Sequence, residues 1–170
     1  MAIYNKIGKS YDSTRRADSF IVSRLAEHLK IRAQNDYLDA ACGSGNYTIA
    51  LADNFGGSWR GVDLSSQMIE AARAKTNRIN WHQADVESLP FENKTFDGAV
   101  CTLAIHHFEF LDAAFGEIRR VLKRDANFII FTSTPEQTAN YWLAEYFPES
   151  IKKSAEYLPD LETISDALHP

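Results

Sequence analysis

Short apolar runs alternate with helical patterns along most of the chain. The apolar runs predict five strands, near residues 36–42, 58–64, 79–84, 96–103 and 127–133. Apolar residues at helical spacing predict helices over residues 17–30, 47–54, 66–74 and 113–123, and a helical, aromatic-rich segment after Pro135. This alternation is typical of βαβ units. We therefore expect an α/β fold, with a Rossmann-like, doubly wound sheet of mainly parallel strands.

The composition of the 170 residues is that of an ordinary globular domain, with 45% hydrophobic and 24% charged residues. The sequence contains neither the run of about 20 apolar residues that spans a membrane nor a secretory signal. Cys42 and Cys101 lie far apart and outside any metal-ligand spacing, which favours free thiols. We expect one cytoplasmic domain without metal.

The negative charge is confined to the C-terminal fifth of the chain. The net charge is −5, yet residues 1–134 carry 16 basic and 16 acidic side chains, whereas residues 135–170 carry two basic and seven acidic ones. A nucleic-acid-binding protein needs a basic surface, which this distribution does not offer. We therefore expect no nucleic-acid partner, although a local basic patch stays open, and we expect residues 135–170 to form an acidic helical tail or lid.

The most informative segment runs from Tyr37 to Tyr47, where a strand leads through a glycine turn into a helix. Gly43 and Gly45 leave no side chain between the backbone and a ligand. Open α/β sheets bind ligands at such a turn, at the carboxyl end of a strand. Two glycines also suit a plain strand-to-helix turn, so this segment alone leaves both interpretations open.

Acidic residues end three successive predicted strands, namely Asp39, Asp63 and Asp85. The carboxyl ends of parallel strands meet at one edge of a sheet, so we expect the three to lie on the same edge. Asp63 follows Gly45 by 18 residues, close to the spacing of about 20 for an acid that binds ribose hydroxyls. Its alternative role is an N-cap, although a serine is already available there. The pattern predicts a nucleoside site.

Two features disfavour NAD as that nucleoside, and hence an oxidoreductase. Thr48 stands where the dinucleotide fingerprint has its third glycine. Asp39 lies just before the turn, where an acid opposes a pyrophosphate but suits a ligand with an amino or sulfonium group. The residues therefore favour a cationic nucleoside.

The sequence resembles class I S-adenosylmethionine-dependent methyltransferases, of the type 11, ubiquinone/menaquinone-biosynthesis-like group. Four motifs carry the resemblance in order, at residues 37–45, at 61–65 with Met68, at 84–91, and at 96–100 leading to His106-His107-Phe108. It covers about residues 35–135. It implies methyl transfer from S-adenosyl-L-methionine to a small molecule by in-line displacement, with S-adenosyl-L-homocysteine as product. The alternative is a binding module without robust catalysis.

The resemblance also implies a set of cofactor-binding residues. In chain order they are Tyr11, Arg16, Asp39, Ala41, Gly43, Gly45, Asp63, Leu64, Met68, Asp85, Val86, Thr102 and Leu103. The first acid and the glycine turn would hold the methionine portion, the second acid the ribose and the third acid the adenine amino group. The two residues after the fourth strand would border the sulfonium. The N-terminal segment would fold over the cofactor, unless it is a solvated loop.

Ala41 replaces a family glycine, and its methyl group is tolerable if φ is negative, so we expect tighter packing against the ligand and not loss of binding.

His106 and His107 are expected to point in different directions. Either His106 or His107 would line the acceptor pocket as a base, or both are structural.

Relatives of this group carry seven strands, and the sequence predicts five. We therefore expect residues 1–170 to form a single methyltransferase domain that is incomplete at its C-terminus and lacks the last two strands. The run Phe128–Phe131 is apolar on both faces, as in a central strand. A bare edge there would invite pairing, so we expect the acidic tail or a second copy, in a homodimer, to cover it.

Overall fold

The computed structural model describes residues 16–169, and these form one parallel sheet between two layers of helices. The strands are β1 (Asp36–Ala40), β2 (Ser58–Asp63), β3 (Asn80–Gln83), β4 (Phe96–Thr102) and β5 (Leu122–Phe131). The helices are α1 (Ser19–Leu29), α2 (Asn46–Phe55), α3 (Ser66–Lys75), α4 (Leu111–Val121), α5 (Pro135–Ala139), α6 (Pro148–Glu156) and α7 (Leu161–Leu168). Short 3₁₀ turns lie at Ile105–His107 and Trp142–Glu145. The strand order is β3-β2-β1-β4-β5, which confirms the predicted Rossmann-like α/β fold.

Each helix layer covers one face of the sheet. Because side chains alternate along a strand, Tyr37 packs with α1, α2 and α3, whereas its neighbour Leu38 packs with α4 and α7. The same alternation places Phe128 on the α4 side and Ile129 on the α1 side. The prediction that β5 is apolar on both faces is therefore confirmed.

The start of β5 differs from the prediction. Leu122 pairs with Phe96 and Asn127 pairs with Gly98, so residues 123–126 form a bulge between two paired positions. Asp125 adopts a φ of +62° in this bulge. Regular pairing begins at Asn127, as the apolar pattern predicts. The helix predicted to continue to Lys123 is wrong, because α4 ends at Val121 and the chain turns directly into the sheet.

The segment after β5 adds helices and no strand to the described part of the chain. Helices α5 and α6 and the 3₁₀ turn between them contact chiefly one another. Helix α7 packs against α4 through Ile164 and Ala167, and the Arg119 guanidinium donates to the Leu168 carbonyl at 2.7 Å. β5 is thus the last strand of the sheet in residues 16–169. No helix of the described residues is long and apolar enough to cross a membrane.

Candidate functional site

The predicted acids lie on one edge of the sheet. In the parallel register, Asp39 of β1 lies beside Gly61, and Asp63 at the end of β2 lies beside Gln83. Asp85 follows β3 by two residues and is exposed. Its Oδ1 accepts the backbone N–H of Glu87 at 3.0 Å, which closes the loop that leaves the sheet. The edge therefore presents acidic groups above three neighbouring strands.

The glycine turn is built from left-handed residues. Ala41, Gly43 and Gly45 have φ values of +60°, +55° and +77°. The negative φ on which the tolerance of Ala41 depended is therefore absent, and its left-handed backbone costs about 1–2 kcal/mol in a residue with a Cβ. A Cβ built on Gly43 would meet no atom within 4 Å. The turn is open at Gly43, where a ligand can approach the backbone.

Gly45 also has a packing role that was not predicted. A Cβ on Gly45 would overlap the Trp81 ring, and so would a Cβ on Gly61 of β2. The indole of Trp81, which is buried, thus fills the space beneath the turn. Gly45 is required by packing as well as by its positive φ. Trp81 was not predicted, because its only signal in the sequence is a large aromatic residue in a short strand.

Asp39 is the most unusual group at this edge. Its side chain is 0% exposed, and its Oδ2 accepts a hydrogen bond from the Thr48 hydroxyl at 2.6 Å. Its Oδ1 is buried without a partner among the described residues. Burial raises the pKa of Asp39 to about 7, the Thr48 hydrogen bond opposes this, and the charge of Asp63 adds to it. Asp39 can therefore pair with a positively charged donor.

Thr48 acquires a role that the sequence analysis did not assign. It was considered only as a departure from the dinucleotide fingerprint. In the structure it is fully buried on α2, one helical turn beyond Gly45, and its hydroxyl holds the carboxylate of Asp39 in place. This hydrogen bond could not be predicted, because the sequence alone does not show that Thr48 and Asp39 are both buried.

Asp63 connects the glycine turn to the next loop. Its Oδ2 accepts the Gly43 N–H and its Oδ1 accepts the Ser65 N–H, both at 2.8 Å. Burial raises the pKa of Asp63, and the two backbone hydrogen bonds partly offset that rise. Ser65 caps α3 by accepting the Met68 N–H, so Asp63 is not the N-cap. Each carboxylate oxygen retains a second lone pair for a ligand hydroxyl.

Lys75, at the C-terminal end of α3, stabilises the glycine turn through hydrogen bonds. Its Nζ donates to the Ser44 carbonyl at 2.8 Å and to the Asn46 Oδ1 at 2.7 Å. Because these two residues flank Gly45, the ammonium group fixes the turn where it enters α2. The role of Lys75 was not predicted, because Lys75 lies 31 residues from Ser44 along the chain and belongs to none of the recognised motifs.

The apolar residues predicted at this edge differ in exposure. Leu64 and Leu103 are 55% and 43% exposed, so both offer apolar surface beside the acids. Thr102 is half-buried at the end of β4. Met68 and Val86 are buried, and Val86 belongs to the core on the α4 side. Val86 therefore has only its backbone to offer a ligand.

The N-terminal residues are described only from Arg16 onward. Arg16 is exposed ahead of α1. Tyr11 lies outside the described residues, so the predicted closure of this segment over a ligand remains a prediction.

His106 and His107 do not diverge as predicted. They lie on a 3₁₀ turn, where side chains do not alternate as on a strand, and their ring centroids are 3.9 Å apart. The Nδ1 of His106 is buried without a partner among the described residues. Burial, with a smaller effect of His107, lowers the pKa of His106 to about 4, and burial lowers that of His107. His106 is therefore neutral at pH 7 and a weak base.

Glu87 links the loop after Asp85 to the segment after β4. Its Oε1 accepts the backbone N–H groups of Glu109 and Phe110, both at 2.9 Å. These donors lie at the start of α4, whose N-cap residue Phe110 offers no side-chain acceptor. Glu87 therefore caps α4 from another loop. Residues 16–169 contain no cluster of His, Cys, Asp or Glu side chains placed to hold a metal ion.

Comparison with known proteins gives a consistent picture. Residues 38–130 match the family model described as methyltransferase domain. The chain is 30% identical over 138 residues to 2-phytyl-1,4-naphtoquinone methyltransferase of Nostoc punctiforme, covering 74% of this chain and 60% of that protein. It thus spans about 60% of the length of that curated relative.

Solved structures agree with this match. A proposed methyltransferase from an antibiotic biosynthesis pathway of Anabaena variabilis is 30% identical, with a TM-score of 0.81 over 91% of this chain and 61% of that one. Phosphoethanolamine N-methyltransferase 2 of Haemonchus contortus, in complex with S-adenosyl-L-methionine, is 26% identical, with a TM-score of 0.70 over 86% of this chain and 35% of that one.

Proposed function

Since this chain belongs to the methyltransferase domain family, we propose that it binds S-adenosyl-L-methionine at the carboxyl edge of its sheet and transfers the methyl group to a small-molecule acceptor. The observation that carries the proposal is the buried carboxylate of Asp39, which has one oxygen without a partner among the described residues. Asp39 belongs to β1 and precedes Gly43, where the left-handed turn is open, by four residues. Such an arrangement suits a ligand that combines a positive group with hydroxyls.

The residues at the edge fit the parts of this cofactor. Asp39 would meet the positive end of the methionine portion, and the open backbone at Gly43 leaves room for its approach. Asp63 is already oriented by two backbone hydrogen bonds, so it would accept ribose hydroxyls without reorganisation. Leu64 offers exposed apolar surface for the adenine ring, and Asp85 would accept from its amino group.

When bound, S-adenosyl-L-methionine supplies a methyl group already activated by a sulfonium. The chain's own contribution is alignment, which is worth up to roughly 7–11 kcal/mol in well-oriented reactions. Thr102 and Leu103, at the end of β4, would shape the space beside the reacting groups and keep water out. His106, with a pKa of about 4, is poorly matched to removing a proton at pH 7. We therefore propose that an acceptor with a free lone pair needs no base from this chain.

A titration with S-adenosyl-L-homocysteine tests the proposed site. Saturable heat is expected from the wild type, and Asp63→Asn is expected to weaken binding by about ten- to a hundredfold, the value of one hydrogen bond to a charged group. Asp125→Asn is the matched control, because Asp125 lies exposed in the β5 bulge. A folded wild type that gives no heat, or an Asp63 variant that binds like the control, would contradict the proposal. NADH is not expected to compete.

The second candidate is a binding module that does not turn over. It is favoured by His106, whose imidazole is a weak base because burial lowers its pKa to about 4. The two candidates differ in one measurement, the formation of S-adenosyl-L-homocysteine in the presence of an acceptor panel. Because the Nostoc relative is named for a naphthoquinone, quinone precursors belong in that panel, together with amines. Binding without product across the panel would favour the module.

We also propose that the protein acts in the cytoplasm on small molecules and not on nucleic acid. A further proposal is that β5, which is an edge strand of the sheet within residues 16–169, is covered in a homodimer. An edge strand with unpaired backbone groups is a template for pairing with another chain. The dimer is expected as a concentration-dependent species in sedimentation velocity. A monomer throughout the micromolar range would contradict it.

A further inference from the structure

An open groove of about 670 Å³ lies between the segment after β4 and the C-terminal helices. Residues 105–112 form one wall and residues 157–167 form the other. Its volume falls within the range of small-molecule pockets. The groove begins at Ile105, three residues after Thr102, and so continues from the strand end that would border the reacting groups.

Aromatic and aliphatic side chains provide much of the lining. Phe108 and Phe110 contribute from the first wall, and Tyr157 and Leu158 contribute from the second. Phe110 and Tyr157 are 58% and 74% exposed, so they hold apolar and aromatic surface open to solvent. Exposed aromatic faces of this kind attract organic cations.

The charged side chains of the groove all carry the same sign. Glu109, Asp112 and Asp166 line it, and no lysine or arginine among residues 16–169 does. None of the three carboxylates belongs to an ion pair within residues 16–169. His106 is the remaining ionisable base of the lining, and burial lowers its pKa to about 4. The groove is therefore negative at neutral pH.

We propose that this groove binds an organic cation with an apolar body, such as an alkylated or aromatic amine, as the acceptor-side ligand. This inference rests on the proposed function, since it assigns the ligand class of the same active edge. The apolar body would lie against Phe110 and Tyr157, and the ammonium group would face the carboxylates of Asp112 and Asp166. An anionic ligand would meet three like charges.

The first wall of the groove is fixed before any ligand arrives. Glu87 holds the backbone of Glu109 and Phe110 through its two hydrogen bonds, and it lies two residues after Asp85. A wall already held in place reduces the ordering that binding would otherwise require. Glu87 is thus a positioning residue for the groove.

Three probes that each carry one phenyl ring test the ligand class. Benzyltrimethylammonium, benzyl alcohol and benzoate are titrated into ¹⁵N-labelled protein, with chemical shifts read at residues 105–112 and 157–167. The cation is expected to bind saturably and to move these resonances, and to bind more weakly as salt rises. Asp112→Asn/Asp166→Asn is expected to weaken it roughly fivefold. Glu136→Gln/Glu149→Gln, also acidic and exposed on the tail, is the matched control and is expected to leave binding unchanged.

Several results would overturn the assignment. Benzoate could bind as tightly as the cation or more tightly, or the cation could fail to bind or could shift resonances outside the groove. The two double variants could also weaken cation binding equally, or a dimer could shield the groove from solvent. A parallel titration with S-adenosyl-L-homocysteine separates the two proposals. If that titration succeeds and the cation fails, the groove assignment is wrong and the cofactor site stands. If S-adenosyl-L-homocysteine itself does not bind, the proposed function fails.

Discussion

Replacing Asp39 by asparagine should change how the stability of the protein depends on pH. Asp39 is fully buried, and its pKa is raised from 3.8 to about 7. Between these values the native state holds a proton that the unfolded state has released. The native state therefore binds more protons, and the free energy of unfolding falls as pH rises. The full penalty above pH 7 is about 4 kcal/mol, at 1.36 kcal/mol per pKa unit.

The expected magnitude follows from the same two pKa values. Between pH 5 and pH 8, ionisation of Asp39 should remove about 2–3 kcal/mol from the free energy of unfolding. An asparagine side chain cannot ionise, so this loss should be absent from the Asp39→Asn variant. The amide keeps an oxygen for the Thr48 hydroxyl, while the buried NH₂ group adds a cost that does not depend on pH. The other titrating groups are common to both proteins and cancel in the difference.

Urea unfolding at pH 5, 6, 7 and 8 measures this difference directly. The free energy of unfolding of the variant, relative to the wild type, should rise by about 2–3 kcal/mol across the series. Thr48→Val should move the wild-type transition to higher pH, because the Thr48 hydrogen bond lowers the pKa of Asp39. Parallel pH profiles for the wild type and the Asp39 variant would refute the reasoning.

The same ionisation should appear in ligand binding. A cation placed against Oδ1, which has no partner among the described residues, favours the ionised carboxylate, so binding should tighten as pH rises through 7. With a pKa of about 7 in the free protein, the affinity for S-adenosyl-L-homocysteine should increase by up to about tenfold between pH 6 and pH 8. The Asp39→Asn variant should bind weakly and lose this dependence. A wild type whose affinity does not change with pH would contradict the pairing of Asp39 with the ligand.

Four further predictions concern the glycine turn. Ala41→Gly should stabilise the protein by up to about 1 kcal/mol in urea unfolding, because relief of the left-handed strain exceeds the entropy that glycine adds to the unfolded chain. Gly43→Ala should cost about 1–2 kcal/mol of stability through backbone strain alone, and it should weaken the binding of S-adenosyl-L-homocysteine measured by calorimetry. Gly45→Ala should cost about 2–4 kcal/mol of stability, because its methyl group would also overlap Trp81. Lys75→Met should raise the dissociation constant of S-adenosyl-L-homocysteine several-fold and leave the circular dichroism spectrum unchanged. Lys75→Arg should recover part of the lost affinity.

The sheet and the acidic edge could be predicted from the sequence because their signals are local. Each strand is a short apolar run, and each acid follows such a run directly, so the parallel arrangement brings Asp39 and Asp63 to one edge. The cap of α3 could similarly be narrowed to Ser65 or Ser66, since capping depends on neighbours three residues away, and the structure shows that it is Ser65. β5 was harder to delimit, because its bulge at residues 123–126 interrupts the pairing without interrupting the chain direction.

The remaining features depend on contacts between distant parts of the chain. Trp81 reaches beneath Gly45 across the sheet, and Lys75 reaches Ser44 from the end of another helix. Neither contact has a sequence pattern of its own. The φ of Ala41 was misjudged for a related reason: an alanine suggests an ordinary backbone, whereas the surrounding turn imposes a left-handed one. The histidine pair was misjudged because a 3₁₀ turn replaced the expected strand or open turn.

The two sides of the site differ in how far they are organised in advance. The glycine turn is held from three directions, by the Trp81 ring below, by Asp63 through the Gly43 N–H and by Lys75 through Ser44. A cofactor would therefore bind without ordering this loop, and its affinity should reflect contacts and charge more than reorganisation. The segment after β5 instead has a cluster of exposed aromatic side chains, including Trp142, which is 61% exposed. Burying these rings would be favourable. We therefore expect the segment after β5 to move when it covers an acceptor or a second copy, while the glycine turn stays unchanged.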